Sequence, residues 1–248
     1  MQKVAIITGG SRGIGRATAL LLAHEGYRVA VNYRSNQAAA DNVVAEIIAA
    51  GGQAQAFAAD IADEAQVVAM FAAVDEVFGP LTALVNNAGI LCKQARVEEL
   101  DAARINRVLA TNVTGSFLCC REAVKRMATR HGGSGGAIVN VSSAASRLGA
   151  PGEYVDYAAS KGAMDSLTTG LSLEVAAQGI RVNSVRPGLI YTDIHADGGE
   201  PGRVDRLGKL LPMQRGGQPE EVAAAISWLL SDAASYVTGS FIDLAGGK

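Results

Sequence analysis

Short apolar runs alternate with longer amphipathic stretches along the whole chain. The runs cover residues 4–8, 28–32, 54–58, 83–86, 137–142, 181–185 and 240–244. They are apolar on both sides of the pleat, as parallel strands covered by helices on both faces should be. Between them the apolar spacing is helical. Residues 14–25 run into Gly26, and 38–50 into Gly51-Gly52, residues suited to a left-handed helix end. Residues 64–78 follow Asp63, with Gln66 three positions on, the spacing of a capping box. Further helices are expected over 101–129, 157–178 and 219–230, the last with Pro219 in its first turn. This order predicts an α/β chain: a doubly wound, seven-stranded parallel sheet flanked by helices, with right-handed crossovers.

No linker, repeat or charge block divides residues 1–248, so they read as a single domain. The least regular stretch is 191–217, which holds Gly198-Gly199, Pro201-Gly202, Pro212 and Gly216-Gly217. It follows a strand end and reads as a mobile substrate lid; the plainer reading is an ordinary surface excursion.

Composition narrows the class. Of 248 residues, 49% are hydrophobic and 19% charged, which excludes a disordered chain. A chain of this length buries roughly three quarters of its unfolded surface and needs no disulfide or metal staple. Lys and Arg number 22 against 24 Asp and Glu, a net charge of −2, so no basic excess points to nucleic acid. No run approaches the ~18 uninterrupted apolar residues of a membrane span. The first apolar run is too short for a signal-peptide core, and glycines follow it. Cys92, Cys119 and Cys120 are odd in number and form no C-x-x-C pair. Neither a disulfide framework nor a zinc site is expected, and a reducing cytoplasm suits them. His24, His131 and His195 are scattered without metal-ligand spacing, so no metal is expected; His195 falls in the lid stretch.

The first strand leads into Thr8-Gly9-Gly10-Ser11-Arg12-Gly13-Ile14-Gly15 and then the first helix. A tight strand-to-helix turn lets a pyrophosphate approach bare backbone, where a helix N-terminus supplies free N–H groups and a positive dipole end. Gly9 suits the turn, Gly13 the close approach and Gly15 the helix–strand packing. The spacing is G-x-x-x-G-x-G, and the Lys-Ser/Thr of a triphosphate loop is missing. The second strand ends in Asn32-Tyr33-Arg34, without the carboxylate that holds a ribose 2′-hydroxyl. Arg12 and Arg34 instead flank the expected ribose. Guanidinium forks suit a 2′-phosphate, which favours NADP(H) over NAD(H); otherwise Arg34 is a solvated surface cation.

Tyr157 and Lys161 lie four apart and share a helix face. A phenol of ordinary pKa ~10 is a poor proton shuttle at neutral pH, and a nearby ammonium is expected to lower it. Such a tyrosine can exchange a proton with a carbonyl or alcohol oxygen while a hydride moves to or from a nicotinamide. The fifth strand ends at Ser142-Ser143, where open α/β sheets hold ligands.

With these residues in view, the chain resembles the short-chain dehydrogenase/reductase family in its compact branch, nearly end to end. It is most similar to 3-oxoacyl-carrier-protein reductases, glucose 1-dehydrogenase-like proteins and bacterial members without an assigned substrate. Thr8-Gly9-x-x-x-Gly13-x-Gly15 resembles the cofactor motif, including Ser11, Arg12 and Ile14. Asn86-Asn87-Ala88-Gly89 resembles the structural motif after the fourth strand, and Asp60-Ile61 the adenine-contacting pair. Pro187-Gly188 with Ile190 and Thr192 resembles the segment beside the nicotinamide carboxamide. Asn112, Ser143, Tyr157 and Lys161 match the catalytic tetrad. The resemblance implies a Rossmann-like three-layer sandwich with Tyr157 as acid/base. Lys161 would lower its pKa and hold the nicotinamide ribose, Ser143 would orient the substrate oxygen, and Asn112 would support a water relay to Lys161. It also implies a homotetramer or dimer formed through the helix at 157–178. Ser143 and Tyr157 are one position further apart than in many relatives, which puts an insertion between 147 and 154. Ser142, further still from Tyr157, is the weaker choice of catalytic serine.

The expected activity is hydride transfer between NADP(H) and a small-molecule carbonyl or secondary alcohol. The alternative is an NADP-binding regulatory protein without turnover, against which all four tetrad residues speak. A methyltransferase on a similar sheet would need an acidic residue where Asn32-Tyr33-Arg34 stands.

Overall fold

In the computed structural model, which describes residues 3–248, the first strand, β1 (Val4–Ile7), is buried along its full length. Successive side chains point to opposite faces of a strand. Val4 and Ile6 therefore join one apolar cluster, and Ala5 and Ile7 the other.

The remaining strands are β2 (Arg28–Tyr33), β3 (Gln53–Ala58), β4 (Ala83–Asn86), β5 (Gly136–Val141), β6 (Ile180–Pro187) and β7 (Phe241–Leu244). They form one sheet in the order β3-β2-β1-β4-β5-β6-β7, every neighbouring pair parallel. On one face lie α3 (Glu64–Phe78), α5 (Gly115–Met127) and α7 (Val155–Val175), which bury Phe71, Met127 and Met164 against Ile6, Leu84 and Ile138. On the other lie α1 (Gly13–His24), α2 (Gln37–Ala49) and α10 (Pro219–Leu230), which bury Leu22, Ile47 and Ile226 against Ile7, Val31 and Val85. Each such side chain contributes roughly 1.5–3 kcal/mol by leaving water. The expected doubly wound sheet is present. Its edges depart from the expectation of full burial: Gln53 and Gln55 of β3 are exposed, because an edge strand is covered less completely.

The chain steps outward from β1 to β2 and β3, then returns to place β4 on the other side of β1. That reversal opens a crevice at the strand C-termini, where doubly wound sheets bind ligands.

Three local differences from the pattern reading are informative. The helix expected over 101–129 is two helices, α4 (Ala102–Leu109) and α5, joined by a π turn over Ala110–Thr114. A π turn inserts one residue without breaking the apolar stripe, so periodicity passes over it. Asp63 caps α3 through the Gln66 N–H at 3.1 Å, but the Gln66 carboxamide accepts from the Asp60 N–H at 2.9 Å instead of closing a capping box. The stretch 191–217 is not irregular throughout. It carries α8 (Ile194–Asp197) and α9 (Arg203–Gly208), following α6 (Ala145–Leu148) and α7 in chain order. Its base is closed by Tyr191 N–H to Gly217 O at 3.0 Å and Gly217 N–H to Leu189 O at 2.9 Å. Among the described residues, no helix is long and apolar enough to cross a membrane, and no three or more His, Cys, Asp or Glu side chains cluster as metal ligands would.

Candidate active site

The turn after β1 is held by groups from two neighbouring strands. Asn32 of β2 accepts from Gly9 N–H through its side chain at 3.2 Å and from Gly10 N–H through its carbonyl at 2.8 Å. The Thr8 hydroxyl accepts from Asn87 and Ala88 N–H at 3.0 Å each, and the Asn87 carboxamide donates to Thr8 and Gly9 carbonyls at 2.9 and 3.0 Å. Gly9 has φ +60°, which a side chain resists, and a Cβ there would meet Ala88 Cα at 3.0 Å. A Cβ at Gly15 would overlap the Gly9 carbonyl oxygen. The turn delivers α1 with no side-chain cap, since the residue at the cap position is Arg12, whose guanidinium has no acceptor. The first-turn N–H groups therefore stay available for an anion.

This N-terminus faces a cleft of about 620 Å³ at the strand ends. Of the residues singled out from sequence, Gly9, Ser11, Arg12, Gly13, Ile14, Arg34, Asp60, Ile61, Asn87, Ala88, Gly89, Ser143, Tyr157, Lys161, Pro187, Gly188, Ile190 and Thr192 all line it. Gly15 and Asn112 do not line it; they sit in its supporting wall. Arg12 and Arg34 are half-exposed at one end. Arg12 pairs with Asp197 of α8 at 2.5 Å, and Arg34 lies 4.0 Å from Asp60. The bare turn, the uncapped helix and two guanidinium forks fit a phosphorylated dinucleotide.

At the other end Tyr157 and Lys161 project from α7 toward the end of β5. The Lys161 ammonium is buried, donates to the Val141 carbonyl at 2.7 Å and lies 5.6 Å from the Tyr157 ring centre. The two serines divide. Ser142 is buried and donates to the Lys161 carbonyl at 3.1 Å, holding strand to helix. Ser143 accepts from Ala145 N–H at 3.1 Å, donates to the Pro187 carbonyl at 3.4 Å and stands close enough to the Tyr157 phenol to pull its pKa down. A Cβ on Gly89 would lie 3.4 Å from Asn112 Oδ1 and 3.5 Å from Lys161 Nζ, so glycine keeps this corner open. Asn112, on the π turn, accepts from Ile90 N–H at 2.8 Å and donates to Ile90 O and Ser160 Oγ, each at 3.0 Å.

The electrostatics correct one expectation. Burial pushes the Tyr157 phenol up to about 12, and the Ser143 hydroxyl pulls it only part of the way back. The expected lowering by Lys161 does not prevail in this structure: burial pushes the ammonium itself down to about 8, against an opposing pull from Asp165. Desolvation raises an acid and lowers a base, and it is the largest cause at both groups.

Several supporting residues carried no sequence signal of their own role. Buried Asp156 accepts from Tyr157 N–H at 2.9 Å and pairs with Arg104 of α4 at 2.8 Å. The Ser160 hydroxyl donates to the Tyr157 carbonyl at 2.7 Å. Asn86, Asn140 and Thr168 form a buried chain from β4 through β5 to α7, with links of 2.9 Å each. His195 is buried in the cleft wall, its Nε2 3.0 Å from the Ile190 carbonyl, and burial depresses its pKa.

A doubly wound parallel sheet with a glycine turn and a Ser–Tyr–Lys constellation at its strand ends defines a class, and the chain belongs to the short-chain dehydrogenase/reductase family of oxidoreductases. A family model described as "Enoyl-(Acyl carrier protein) reductase" matches residues 9–248. The chain is 76% identical over 245 residues to the uncharacterized oxidoreductase YgfF of Escherichia coli K12, covering 99% of each chain. It is 40% identical to a 3-oxoacyl-[acyl-carrier-protein] reductase of Synechocystis, covering 99% of this chain and 96% of that one. A short-chain dehydrogenase from Burkholderia cenocepacia, solved in complex with NADP, superposes with a TM-score of 0.90 at 33% identity, covering 100% of this chain and 98% of that one.

Proposed function

We propose that this chain is an NADP(H)-dependent reductase of small-molecule carbonyls, with Tyr157 as the proton donor. The observation that carries the reading is the convergence of Ser143, Tyr157 and the buried Lys161 ammonium on the cleft that begins at the glycine turn, with the ammonium 5.6 Å from the Tyr157 ring centre. The turn and the N-terminus of α1 hold the cofactor pyrophosphate, Arg12 and Arg34 the 2′-phosphate, and Asp60-Ile61 the adenine. Ile190, Thr192 and the Pro187-Gly188 backbone hold the carboxamide end. When bound, NADPH supplies a hydride from nicotinamide C4.

The residues of the chain supply the rest. The Ser143 hydroxyl orients the carbonyl oxygen. The phenol gives its proton to that oxygen, so hydride and proton together convert C=O to CH–OH. A phenol held near 12 is fully protonated at neutral pH, which suits the direction of reduction. The Lys161 cation stabilises the phenolate that forms, and Asn112 supports the path by which the proton is replaced. The stretch 191–217 acts as a lid, with His195 on its inner side. The NADP complex of the Burkholderia relative and the activity named for the Synechocystis relative support this reading.

Three free thiols suit a reducing cytoplasm. Exposed Phe117 of α5 and Leu173 of α7 support assembly into a dimer or tetramer through that face.

The test is Tyr157→Phe. Turnover of ketone, thioester and sugar substrates should fall by roughly 10²–10⁴ while NADPH still quenches and binds as before. Unchanged turnover overturns the assignment. If the wild type binds NADPH and reduces nothing, the chain is instead a regulatory binder. For the cofactor, Arg34→Asp should lower the efficiency ratio of NADPH over NADH, and an unchanged ratio removes Arg34 from the phosphate site.

A further inference from the structure

A second recess, of about 750 Å³, opens beside the cleft and shares Arg12, Arg34, Ile90 and Leu91 with it. Its charged lining is five cations, Arg12, Arg34, Lys93, Arg104 and Arg107, against one carboxylate, Asp197. The chain as a whole carries a net charge of −2, so this is local bias and not composition. Three of the cations have partners: Arg12 with Asp197, Arg34 with Asp60 at 4.0 Å, and Arg104 with Asp156. Lys93 and Arg107 have no carboxylate partner among the described residues, and both are exposed. Among the described residues, the one side-chain acceptor for Arg107 is the weak Cys92 sulfur at 3.3 Å.

The recess is built, not incidental. Arg104 and Arg107 lie three apart on α4 and share a face. The Arg104 guanidinium also donates to the Lys93 carbonyl at 2.7 Å, which fixes the loop of Lys93 against α4. The same guanidinium grips Asp156, whose carboxylate receives the Tyr157 N–H. One bridge thus sets the spacing between the cationic recess and the reacting phenol.

We propose that this recess holds a phosphate-bearing arm of the carbonyl substrate, seating the anion at Lys93 and Arg107 while the carbonyl reaches Ser143 and Tyr157. Two uncancelled cations beside guanidinium forks suit a dianion better than a single carboxylate. The proposal rests on the reductase reading and names its substrate class.

Acetoacetyl-coenzyme A and the acetoacetyl thioester of N-acetylcysteamine carry the same acyl group with and without phosphates. At saturating NADPH the wild-type KM should be about tenfold or more lower for the coenzyme A thioester. Lys93→Ser with Arg107→Gln should remove that advantage and leave turnover of the neutral thioester unchanged. Coenzyme A titrated calorimetrically into NADP⁺-saturated protein should bind about tenfold more weakly to the double variant. Equal KM values for the two thioesters in the wild type overturn the proposal. So does coenzyme A binding that is indifferent to the two substitutions, or a loss of NADPH affinity in the double variant, which would assign the recess to the cofactor. Binding of coenzyme A that depends on Lys93 and Arg107, with no carbonyl reduced, would sink the reductase reading and keep the anion site.

Discussion

Asn112 on the π turn and Ser160 on α7 share a buried hydrogen bond of 3.0 Å. Ser160 in turn donates to the Tyr157 carbonyl. The break between α4 and α5 is thereby tied to the helix that carries the phenol and the ammonium.

Asn112→Ala would strand the Ile90 N–H and carbonyl in the partly buried cleft wall, while the Ser160 hydroxyl keeps its bond to the Tyr157 carbonyl. Each unsatisfied group costs about 1–3 kcal/mol. Urea unfolding should show a loss of about 3 kcal/mol or more. Ser160→Ala should lose about 1 kcal/mol and retain most activity. Equal, small losses for both variants would show that the side chain of residue 112 is not a support.

Reduction should decline as pH rises through about 8, where Lys161 loses its charge and the phenolate loses its counter-cation. Lys161→Arg, if it folds, should move that limb upward, since a guanidinium keeps its proton. The stability sign follows from the same depression. The unfolded lysine titrates near 10.5 and the folded one near 8, so the unfolded state binds more protons between them. The Lys161 contribution to unfolding free energy should therefore rise with pH from about 8 to 10.5. A pH–rate profile with no limb below 10 would contradict this.

Asp197 competes with any phosphate for Arg12, at 2.5 Å and in a half-exposed setting. Exposed pairs are weak, so the effect is modest. Asp197→Asn should tighten NADPH binding about threefold and leave NADH nearly unchanged, read by fluorescence titration. Equal tightening of both cofactors would mean that Arg12 meets the pyrophosphate and not the 2′-phosphate.

Thiol titration of the native protein should give one fast equivalent. Cys92 is partly exposed beside Arg107, whereas Cys119 and Cys120 are buried, with burial raising the Cys120 thiol to about 12 and Cys119 higher still. In denaturant all three should react. Cys92→Ser should remove the fast equivalent, and its persistence would place another thiol at the surface.

Much of the architecture is legible in the chain itself because its causes are local. Buried parallel strands must be apolar on both faces, so β1, β4 and β5 announce themselves, whereas the half-covered edge strand β3 does so only weakly through its glutamines. Gly9 is required by a positive φ, and Tyr157 and Lys161 share a face by helical spacing alone. Which of two adjacent serines faces the phenol depends on how β5 meets α7, and the residue count alone pointed to Ser143 without supplying the contact.

What the order of residues determined by itself was therefore the sheet, the glycine turn and the shared helix face of Tyr157 and Lys161. These follow from backbone conformation and repeat period, which are settled within a few residues. Only the folded chain decided that Arg12 meets Asp197 across 185 positions, that Arg104 braces Asp156 across 52, and that the phenol stands near 12. Ion pairing and desolvation depend on groups brought close in space by distant segments, and no local pattern encodes that proximity.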